Sequence, residues 1–247
     1  MILLLDIVLV IFSILMLWKG ADWLVEAAAE IAHSLKISDL VIGLTVVAFG
    51  TSAPEFAVTI KAALTGQTDI SIGNVVGSNI FNLGFILGGT AMVRAITITP
   101  KLLYRDGIFL LFVTILIYVL FFGFNGWDIT DAITAAEGSF LFLALIGYII
   151  FLFIKKEPME ETHPESADLK SYLWFFVGLI SIVLGGHLMV EHASSLASTF
   201  GVSDWVIAVT IVAAGTSAPE LATSLTAAFK NKHGMAIGNL IGSDLFN

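Results

Sequence analysis

Two identical hexapeptides, each with a carboxylate and a proline, interrupt long apolar stretches of this sequence. GTSAPE occupies residues 50–55 and returns at residues 215–220. Glu55 and Glu220 thus lie near the centres of hydrophobic segments, where an ionised acid costs about 2.5–3.5 kcal/mol and needs a partner. A single Glu can be neutral and hydrogen-bonded to a neighbouring helix. The repeated pair instead favours a mobile cation as counter-charge, because no Lys or Arg in the other predicted helix centres can serve both acids.

The prolines of the hexapeptides predict further oxygen ligands. Pro54 and Pro219 have no N–H, so each leaves the carbonyl four residues earlier without its helical partner and kinks that turn. We expect the carbonyls near Ala48 and Ala213 to turn inward, because irregular backbone at membrane depth is tolerated where it lines a cavity. The hexapeptides also carry hydroxyl groups. Ser and Thr hydroxyls in membrane helices often bond back to their own helix. Four of them are nevertheless candidate ligands, because they lie beside the Glu and occur in both copies: Thr51, Ser52, Thr216 and Ser217.

A second polar stretch follows each hexapeptide, SIGNVVGSNIFN at 71–82 and AIGNLIGSDLFN at 236–247. Side chains four residues apart share a helix face, which groups Asn74, Ser78 and Asn82 in the first stretch and Asn239, Ser243 and Asn247 in the second. A GxxxG pair permits close helix approach, and each stretch has one, formed by Gly73 and Gly77 and by Gly238 and Gly242. We expect these glycines to bring the polar faces to the Glu-bearing helices.

Every ligand collected in this way is an oxygen atom. Hard cations prefer such sets, and Ca²⁺ takes six to eight oxygens in a flexible shell. The chain has no cysteine, which excludes disulfides, thiolate metal sites and cysteine nucleophiles. Neither motif contains histidine, so metals that seek imidazole are disfavoured, and we interpret His187 and His192 as structural. The residues therefore predict a hard-cation site.

The two motif regions are copies of one repeat. Residues 36–82 and 201–247 align at an offset of 165 without a gap and share 23 identities in 47 positions. The identities include Thr, Ser, Pro, Glu and Asn, so chance recurrence of apolar words is a poor explanation. Five predicted membrane crossings separate the copies. Because five is odd, the copies face opposite sides of the membrane, a recurring plan of transporters that channels can also have.

The elements that position these residues are membrane helices. The chain is 57% hydrophobic and 13% charged, against about 45–50% and about 25% in soluble domains. Apolar blocks near 20 residues span a bilayer as helices. The sequence predicts helices at 2–32, 41–64, 71–92, 104–122, 133–154, 172–197 and 206–229, with an eighth from Met235. The N-terminus has no basic leader and no cleavage site, which favours a retained first helix.

Cationic residues orient this bundle. With the N-terminus outside, nine of the eleven Lys and Arg residues fall on the cytoplasmic side, as the positive-inside rule requires. The acidic stretch 155–171 then becomes a solvated cytoplasmic linker. It joins a first half, residues 1–154, to a second half, residues 172–247. Five of the twenty acidic residues lie in this linker: Glu157, Glu160, Glu161, Glu165 and Asp168.

The paired motifs resemble the alpha-repeats of the calcium/cation antiporter superfamily, closest to its sodium/calcium exchanger branch with its potassium-dependent relatives. The resemblance implies an all-α integral membrane protein of ten helices in two inverted five-helix repeats, exchanging Na⁺ for Ca²⁺ by alternating access. It further implies that the first and sixth helices, with glycines at Gly20, Gly185 and Gly186, slide past the ion-binding core. The ion-binding residues it implies are Thr51, Ser52, Glu55, Ser78, Asn82, Thr216, Ser217, Glu220, Ser243 and Asn247.

Two departures from the family pattern bear on ion coupling. Some relatives have Asp at one of the positions matched by Asn82 and Asn247, whereas both are Asn here, and Asp244 stands opposite Asn79 in the repeat. The GN-x-x-E motif typical of the proton/calcium branch is absent.

The stretch from Met235 to the last residue, Asn247, has 13 residues, too few to span a bilayer. The ten-helix family fold implies two further helices beyond it.

The leading hypothesis is a multi-pass antiporter of the plasma or cell inner membrane that moves Ca²⁺ outward at the expense of a Na⁺ gradient. Its alternatives are proton or potassium coupling and a passive cation channel. An intramembrane hydrolase using Ser52 or Ser217 ranks lower, because no Lys or His accompanies either serine, so we expect no enzyme activity. The expected partners are inorganic cations and the lipid bilayer. No cofactor, nucleic acid or obligate protein partner is implied.

Overall fold

Helices form at every position where the sequence predicts them. The computed structural model describes residues 2–122, 134–155 and 167–247; most of the acidic linker lies outside these residues. The helices are α1 (Ile2–Leu35), α2 (Asp39–Thr51), α3 (Ala53–Leu64), α4 (68–93), α5 (102–122), α6 (Ala135–Ile154), α7 (Leu169–Thr199), α8 (204–216), α9 (Ala218–Phe229) and α10 (His233–Phe246).

Several of these helices have the length and composition of membrane spans. Among the described residues, α1, α4, α5, α6 and α7 are each long and apolar enough to cross a bilayer. Helices α2 and α3 together make a sixth candidate span, bent by 52° at the break between them. Exposed Leu, Ile and Phe side chains cover much of the outer surface of α1, α5 and α6, as expected where lipid is the solvent.

The two halves repeat the same arrangement of helices. A shift of 165 residues relates α1 to α7, α2 to α8, α3 to α9 and α4 to α10. Even a local irregularity is repeated, since α2 and α8 each contain a π-helical turn, at Gly43–Val47 and Ala208–Val212. Such wide turns are rare and frequently lie at functional sites. The fold is thus an all-α membrane protein built from two inverted repeats.

Helices α1 and α7 pack against each other along their length through small residues. A Cβ added at Gly20 would lie 2.9 Å from the carbonyl oxygen of Gly178, and one added at Gly185 would lie 3.1 Å from that of Ser13. These two contacts are related by the same 165-residue offset, since Gly20 matches Gly185 and Ser13 matches Gly178. The repeat therefore extends into the first helix of each half, where the sequences have diverged.

Polar contacts join α1 and α7 at one end of the bundle and tie the α9–α10 junction to neighbouring helices at the other. At one end, buried Asp6 of α1 pairs with His192 of α7 (2.8 Å) and accepts a hydrogen bond from Ser195 (2.7 Å). His192 is thus structural, as the sequence predicts. At the other end, cationic side chains join the helix termini: Lys230 pairs with Asp22 (2.5 Å) and Glu26, Lys232 pairs with Asp39 (3.3 Å), and Arg94 donates to Asn231. Three of the residues that the sequence places on the cytoplasmic side thus gather at one end of the bundle.

Candidate cation-binding site

The two hexapeptides form matching helix breaks. Ser52 separates α2 from α3, and Ser217 separates α8 from α9. The proline that follows each break is accommodated near the start of the next helix, where its missing N–H would be unpaired anyway. Glu55 and Glu220 consequently lie in the first turn of α3 and α9. The positive end of the helix dipole stabilises a carboxylate there.

The serine of each break donates a hydrogen bond to the glutamate of the other repeat. Ser52 Oγ lies 3.1 Å from Glu220 Oε1, and Ser217 Oγ lies 3.2 Å from Glu55 Oε1. Both glutamates are almost fully buried, with 2% and 0% of their surface exposed. The two halves thus exchange hydrogen bonds across a pseudo-two-fold axis, and each carboxylate is held by residues of both repeats.

Asparagines of α4 and α10 support the backbone around each glutamate. Asn74 Nδ2 donates to the main-chain oxygen of Glu55 at 3.2 Å, and Asn239 Nδ2 donates to that of Glu220 at 3.4 Å. Each amide also donates to a hydroxyl one turn further along the Glu-bearing helix, Thr59 for Asn74 (2.9 Å) and Ser224 for Asn239 (3.0 Å). These bonds fix the first turn of α3 and α9, where the carboxylates lie.

The last turn of each motif adds a second layer of exchanged bonds. Asn82 Nδ2 donates to Ser243 Oγ (3.1 Å) and to Asp244 Oδ1 (2.9 Å). In the matching positions, Asn247 Nδ2 donates to Ser78 Oγ (2.9 Å) and to Asn79 Oδ1 (3.2 Å). Ser243 links this layer to the carboxylates, because its hydroxyl contacts Ser52 Oγ at 2.8 Å and Glu220 Oε1 at 3.4 Å.

Several buried oxygen atoms of this cluster lack a hydrogen-bond partner. They are Glu55 Oε2, Glu220 Oε2, Asn82 Oδ1, Asn247 Oδ1, Asp244 Oδ2 and Thr223 Oγ1. Unpaired buried oxygens are costly, and most buried polar atoms in native structures have a partner. No ion pair in the described part of the chain includes Glu55, Glu220 or Asp244. Apart from the Thr223 hydroxyl, these carboxylate and amide oxygens act as acceptors, and such a set is suited to hard cations such as Ca²⁺ or Na⁺.

The three carboxylates do not converge on a single point. Across residues 2–122, 134–155 and 167–247, no three Asp, Glu or His side chains are close enough to hold one metal ion. Asp244 is instead separated from Glu220 by the side chains of Asn82 and Ser243. Asp244 thus belongs to the second layer of the cluster and not to the layer of the two glutamates.

The threonines and alanines of the hexapeptides are less symmetric. Thr51 is fully buried and donates to Asn239 Oδ1 at 3.0 Å, whereas Thr216 is partly exposed and donates to the carbonyl of Ala213 at 3.1 Å. The carbonyl of Ala48 accepts from the Ser52 N–H (3.0 Å) and from Thr51 Oγ1 (3.2 Å). Both carbonyls thus make hydrogen bonds within their own helix. The Ala48 carbonyl already accepts two, so a cation there would have to displace one of them.

The two GxxxG pairs also differ. In the second repeat, a Cβ at Gly238 would lie 2.7 Å from the carbonyl oxygen of Leu40, and one at Gly242 would lie 2.5 Å from that of Leu44. Helices α10 and α2 therefore touch through their backbones, as the sequence predicts. In the first repeat, Gly73 and Gly77 have nothing within 4 Å, so α4 does not pack on α8 in this way. The cluster is enclosed more tightly on one side than on the other.

Fold and site together define a class of protein. Inverted membrane repeats whose broken helices carry paired, buried carboxylates at their meeting point are the plan of a secondary cation transporter. Comparisons with known proteins agree. The family model described as "Sodium/calcium exchanger protein" matches residues 5–154 and 170–247.

Individual relatives match over nearly the whole chain. A putative antiporter, CaxA of Alkalimonas amylolytica, is 37% identical, covering 95% of this chain and 74% of the relative. The sodium/calcium exchanger MaX1 of Methanosarcina acetivorans is 31% identical, covering 98% and 80%. A solved structure of the sodium-calcium exchanger NCX_Mj superimposes with a TM-score of 0.85 and 32% identity, covering 98% of this chain and 79% of that one. The chain belongs to the sodium/calcium exchanger family, a group of membrane cation transporters.

Sequence reasoning missed part of the cluster. Four residues that the sequence analysis did not select contribute hydrogen bonds or unpaired oxygens: Thr59, Thr223, Ser224 and Asn79. They lie outside the hexapeptides and off the polar faces assigned to the second stretches. Asn79 and Asp244 match each other in the repeat, and that offset is the signal that could have placed both in the cluster. Thr59 and Ser224 match in the same way.

Proposed function

We propose that the protein exchanges Na⁺ for Ca²⁺ by alternating access, with Ca²⁺ held between Glu55 and Glu220 near the bilayer midplane. The observation that carries this proposal is the reciprocal pair of bonds from Ser52 to Glu220 and from Ser217 to Glu55. Each glutamate keeps its second oxygen buried and without a partner. Two carboxylates match the double charge of Ca²⁺, and a hard cation satisfies the oxygens that the protein leaves unpaired.

Na⁺ occupies flanking positions in this proposal and shares the glutamate oxygens with Ca²⁺. The oxygens available beside the glutamates come from Thr51, Ser52, Thr216, Ser217, Ser78, Ser243, Asn82 and Asn247 and from the carbonyls of Ala48 and Ala213. Sharing makes simultaneous occupancy costly, because like charges repel strongly in a low-dielectric site. Na⁺ and Ca²⁺ are therefore expected to compete, and saturating Na⁺ must weaken Ca²⁺ binding. An unchanged Ca²⁺ affinity would contradict the exchange mechanism.

The proposed direction is Ca²⁺ extrusion, with the N-terminus outside and the 155–171 linker in the cytoplasm. The gathering of Arg94, Lys230 and Lys232 at one end of the bundle supports this orientation under the positive-inside rule. The tight packing of α10 on α2 and the open space beside α4 support alternating access, because inverted repeats that exchange these two arrangements would open the site to opposite sides in turn.

The decisive experiment is ⁴⁵Ca²⁺ uptake into liposomes containing the purified protein, under an imposed Na⁺, K⁺ or pH gradient. We expect saturable uptake that requires an opposing Na⁺ gradient. Uptake driven only by a K⁺ or pH gradient would show that K⁺ or H⁺ is the coupled ion. Uptake without any counter-ion would indicate a channel. Glu55→Gln and Glu220→Gln should each abolish uptake, whereas the matched control Glu191→Gln, at an exposed acid of α7, should not. Near-normal uptake by both single variants would exclude this assignment.

A further inference from the structure

The third buried carboxylate, Asp244, has no place in a site that two glutamates form. Only 5% of its surface is exposed. Its Oδ1 accepts a hydrogen bond from Asn82 at 2.9 Å, while its Oδ2 is buried and has no partner. The matching residue of the first repeat is the neutral Asn79. Asp244 therefore adds one negative charge to one half of a cluster that is otherwise symmetric.

The surroundings of Asp244 supply the other features of a cation position. Asn82 is completely buried, and its amide group donates to Asp244 and Ser243, so its own Oδ1 is left unpaired. Asn247 donates to Ser78 and Asn79, and its Oδ1 is likewise unpaired. No cationic side chain pairs with Asp244 in the described part of the chain. Three unpaired oxygens, one of them from a carboxylate, thus lie in this layer of the cluster.

This position is distinct from the one between the glutamates. Among the described residues no three acidic side chains are close enough to hold one metal ion, so in this conformation Asp244 does not share an ion with both glutamates. It lies one layer away, beyond Ser243, whose hydroxyl reaches Glu220 at 3.4 Å. Charge then selects the ion: Ca²⁺ neutralises Glu55 and Glu220, and the single remaining carboxylate matches a monovalent cation.

We propose that Asp244 is a direct ligand of an alkali cation, Na⁺ or K⁺, bound beside the two-glutamate site while that site holds Ca²⁺. The proposal rests on the proposed function for the identity of the neighbouring ion. Asp244 Oδ2 provides the charge, and the amide oxygens of Asn82 and Asn247 complete the ligands from the two halves. This position uses no glutamate oxygen, so it can be filled while Ca²⁺ is bound, unlike the competing Na⁺ positions that share the glutamates. The protein with Ca²⁺ bound then holds three positive ionic charges, two on Ca²⁺ and one on the alkali cation, which match the three carboxylates.

The test is equilibrium binding of ²²Na⁺, and separately of ⁸⁶Rb⁺ as the K⁺ tracer, to purified protein in the presence of saturating Ca²⁺. The key variant is Asp244→Asn, which keeps the shape of the side chain and reproduces the residue found in the first repeat. We expect the wild-type protein to bind one of the two alkali cations alongside ⁴⁵Ca²⁺. Asp244→Asn should lose that ion and still bind ⁴⁵Ca²⁺. The control Asp204→Asn changes an exposed acid at the start of α8 and should lose neither.

A second variant separates coordination from misfolding. The double change Asn79→Asp with Asp244→Asn moves the carboxylate to the matching position, where Asn247 takes the role of Asn82, and should restore the alkali cation. Retention of the alkali cation by Asp244→Asn, or its absence from the wild-type protein with Ca²⁺ bound, would overturn the proposal. Absence of ⁴⁵Ca²⁺ binding by the wild-type protein would instead refute the proposed function. In that case, alkali-cation binding that is present in the wild type and lost in Asp244→Asn would still support Asp244 as a ligand.

Discussion

The contrast between the two GxxxG pairs allows a matched test of how closely α10 must approach α2. Gly242 and Gly77 occupy the same position in the two repeats, yet their surroundings differ. A Cβ at Gly242 would lie 2.5 Å from Leu44 O and 2.6 Å from Ala48 Cβ, whereas a Cβ at Gly77 would have nothing within 4 Å. The substitution Gly→Ala can be made at both positions, so the change in side chain is identical.

The expected changes in the free energy of unfolding have opposite signs for Gly77→Ala and Gly242→Ala. Replacing Gly by Ala inside a helix stabilises a protein by about 0.5–1 kcal/mol where space allows, and this gain applies at Gly77. At Gly242 the atoms in the way are backbone atoms and a Cβ, which cannot rotate aside, so the helices must separate. Overpacking of this kind costs about 1–3 kcal/mol. In a chain of this size each kcal/mol shifts the melting temperature by roughly 2–4 °C.

The same separation should weaken cation binding. Ser243 follows Gly242 directly, and its hydroxyl lies 2.8 Å from Ser52 and 3.4 Å from Glu220. A displacement of α10 lengthens both contacts, so we expect Gly242→Ala to reduce Ca²⁺ affinity roughly tenfold, equivalent to about 1.4 kcal/mol. Gly77→Ala should leave the affinity unchanged in this conformation.

Thermal unfolding in detergent and ⁴⁵Ca²⁺ binding measure the two effects. Because membrane proteins often unfold irreversibly, the two variants must be compared with the wild type at one scan rate. Equal melting temperatures and equal Ca²⁺ affinities for Gly242→Ala and Gly77→Ala would refute the reasoning. That result would mean that α10 and α2 do not touch through their backbones.

Four further substitutions have definite expected outcomes. Ser52→Ala and Ser217→Ala should both weaken Ca²⁺ binding in calorimetric titration, since each removes one bond to the opposite glutamate, worth about 1.5–3 kcal/mol to a charged acceptor. The loss should be larger for Ser52→Ala, which also removes the contact with Ser243. An effect of only one of the two substitutions would contradict the exchanged pairing. Gly178→Leu should lower the melting temperature in detergent because its Cβ would lie 2.7 Å from the carbonyl of Gly20; a melting temperature equal to wild type would show that α1 and α7 can separate freely. Ser166→Cys lies outside the described residues, but the topology predicts labelling by an impermeant thiol reagent only from the cytoplasm, and labelling of intact cells would overturn it.

The helices and the repeat could be predicted because both depend on local patterns. Long apolar blocks determine where helices form in a bilayer, and Pro54 and Pro219 mark the breaks because proline lacks an N–H. The identity of 23 positions in the repeat predicted that equivalent polar residues meet. The structure describes the contacts and burial of Glu55, Glu220 and the hydroxyl residues around them, and their ion-binding roles stay predictions.

The differences between the halves could not be predicted, because identical motifs have different neighbours. Gly77 and Gly242 are the same residue in the same motif, and only the position of α8 relative to α4 distinguishes them. Thr51 and Thr216 differ for a similar reason. Both bond back to their own helix, at Ala48 and Ala213, but Thr51 also reaches Asn239 of the other repeat. A sequence repeat specifies which contacts are possible. The conformation of the whole bundle decides which of them form.

The distribution of polar and apolar contacts explains how such a bundle can bind an ion firmly and still move. Within the core, Ser52 and Ser217 each bond to the glutamate of the other half, so a cation placed there is held by both repeats at once. The contacts of α7 with the hexapeptides are apolar instead, since Leu179 packs on Gly50 and Val190 packs on Gly215. Apolar contacts have no fixed direction, and glycine presents a smooth surface, so α7 can shift along the core without breaking hydrogen bonds at these points. In the proposed exchange cycle, movement of the α1–α7 pair past the core would have to break the ion pairs of Lys230 with Asp22 and Glu26, but it would leave the bonds between the two hexapeptides in place.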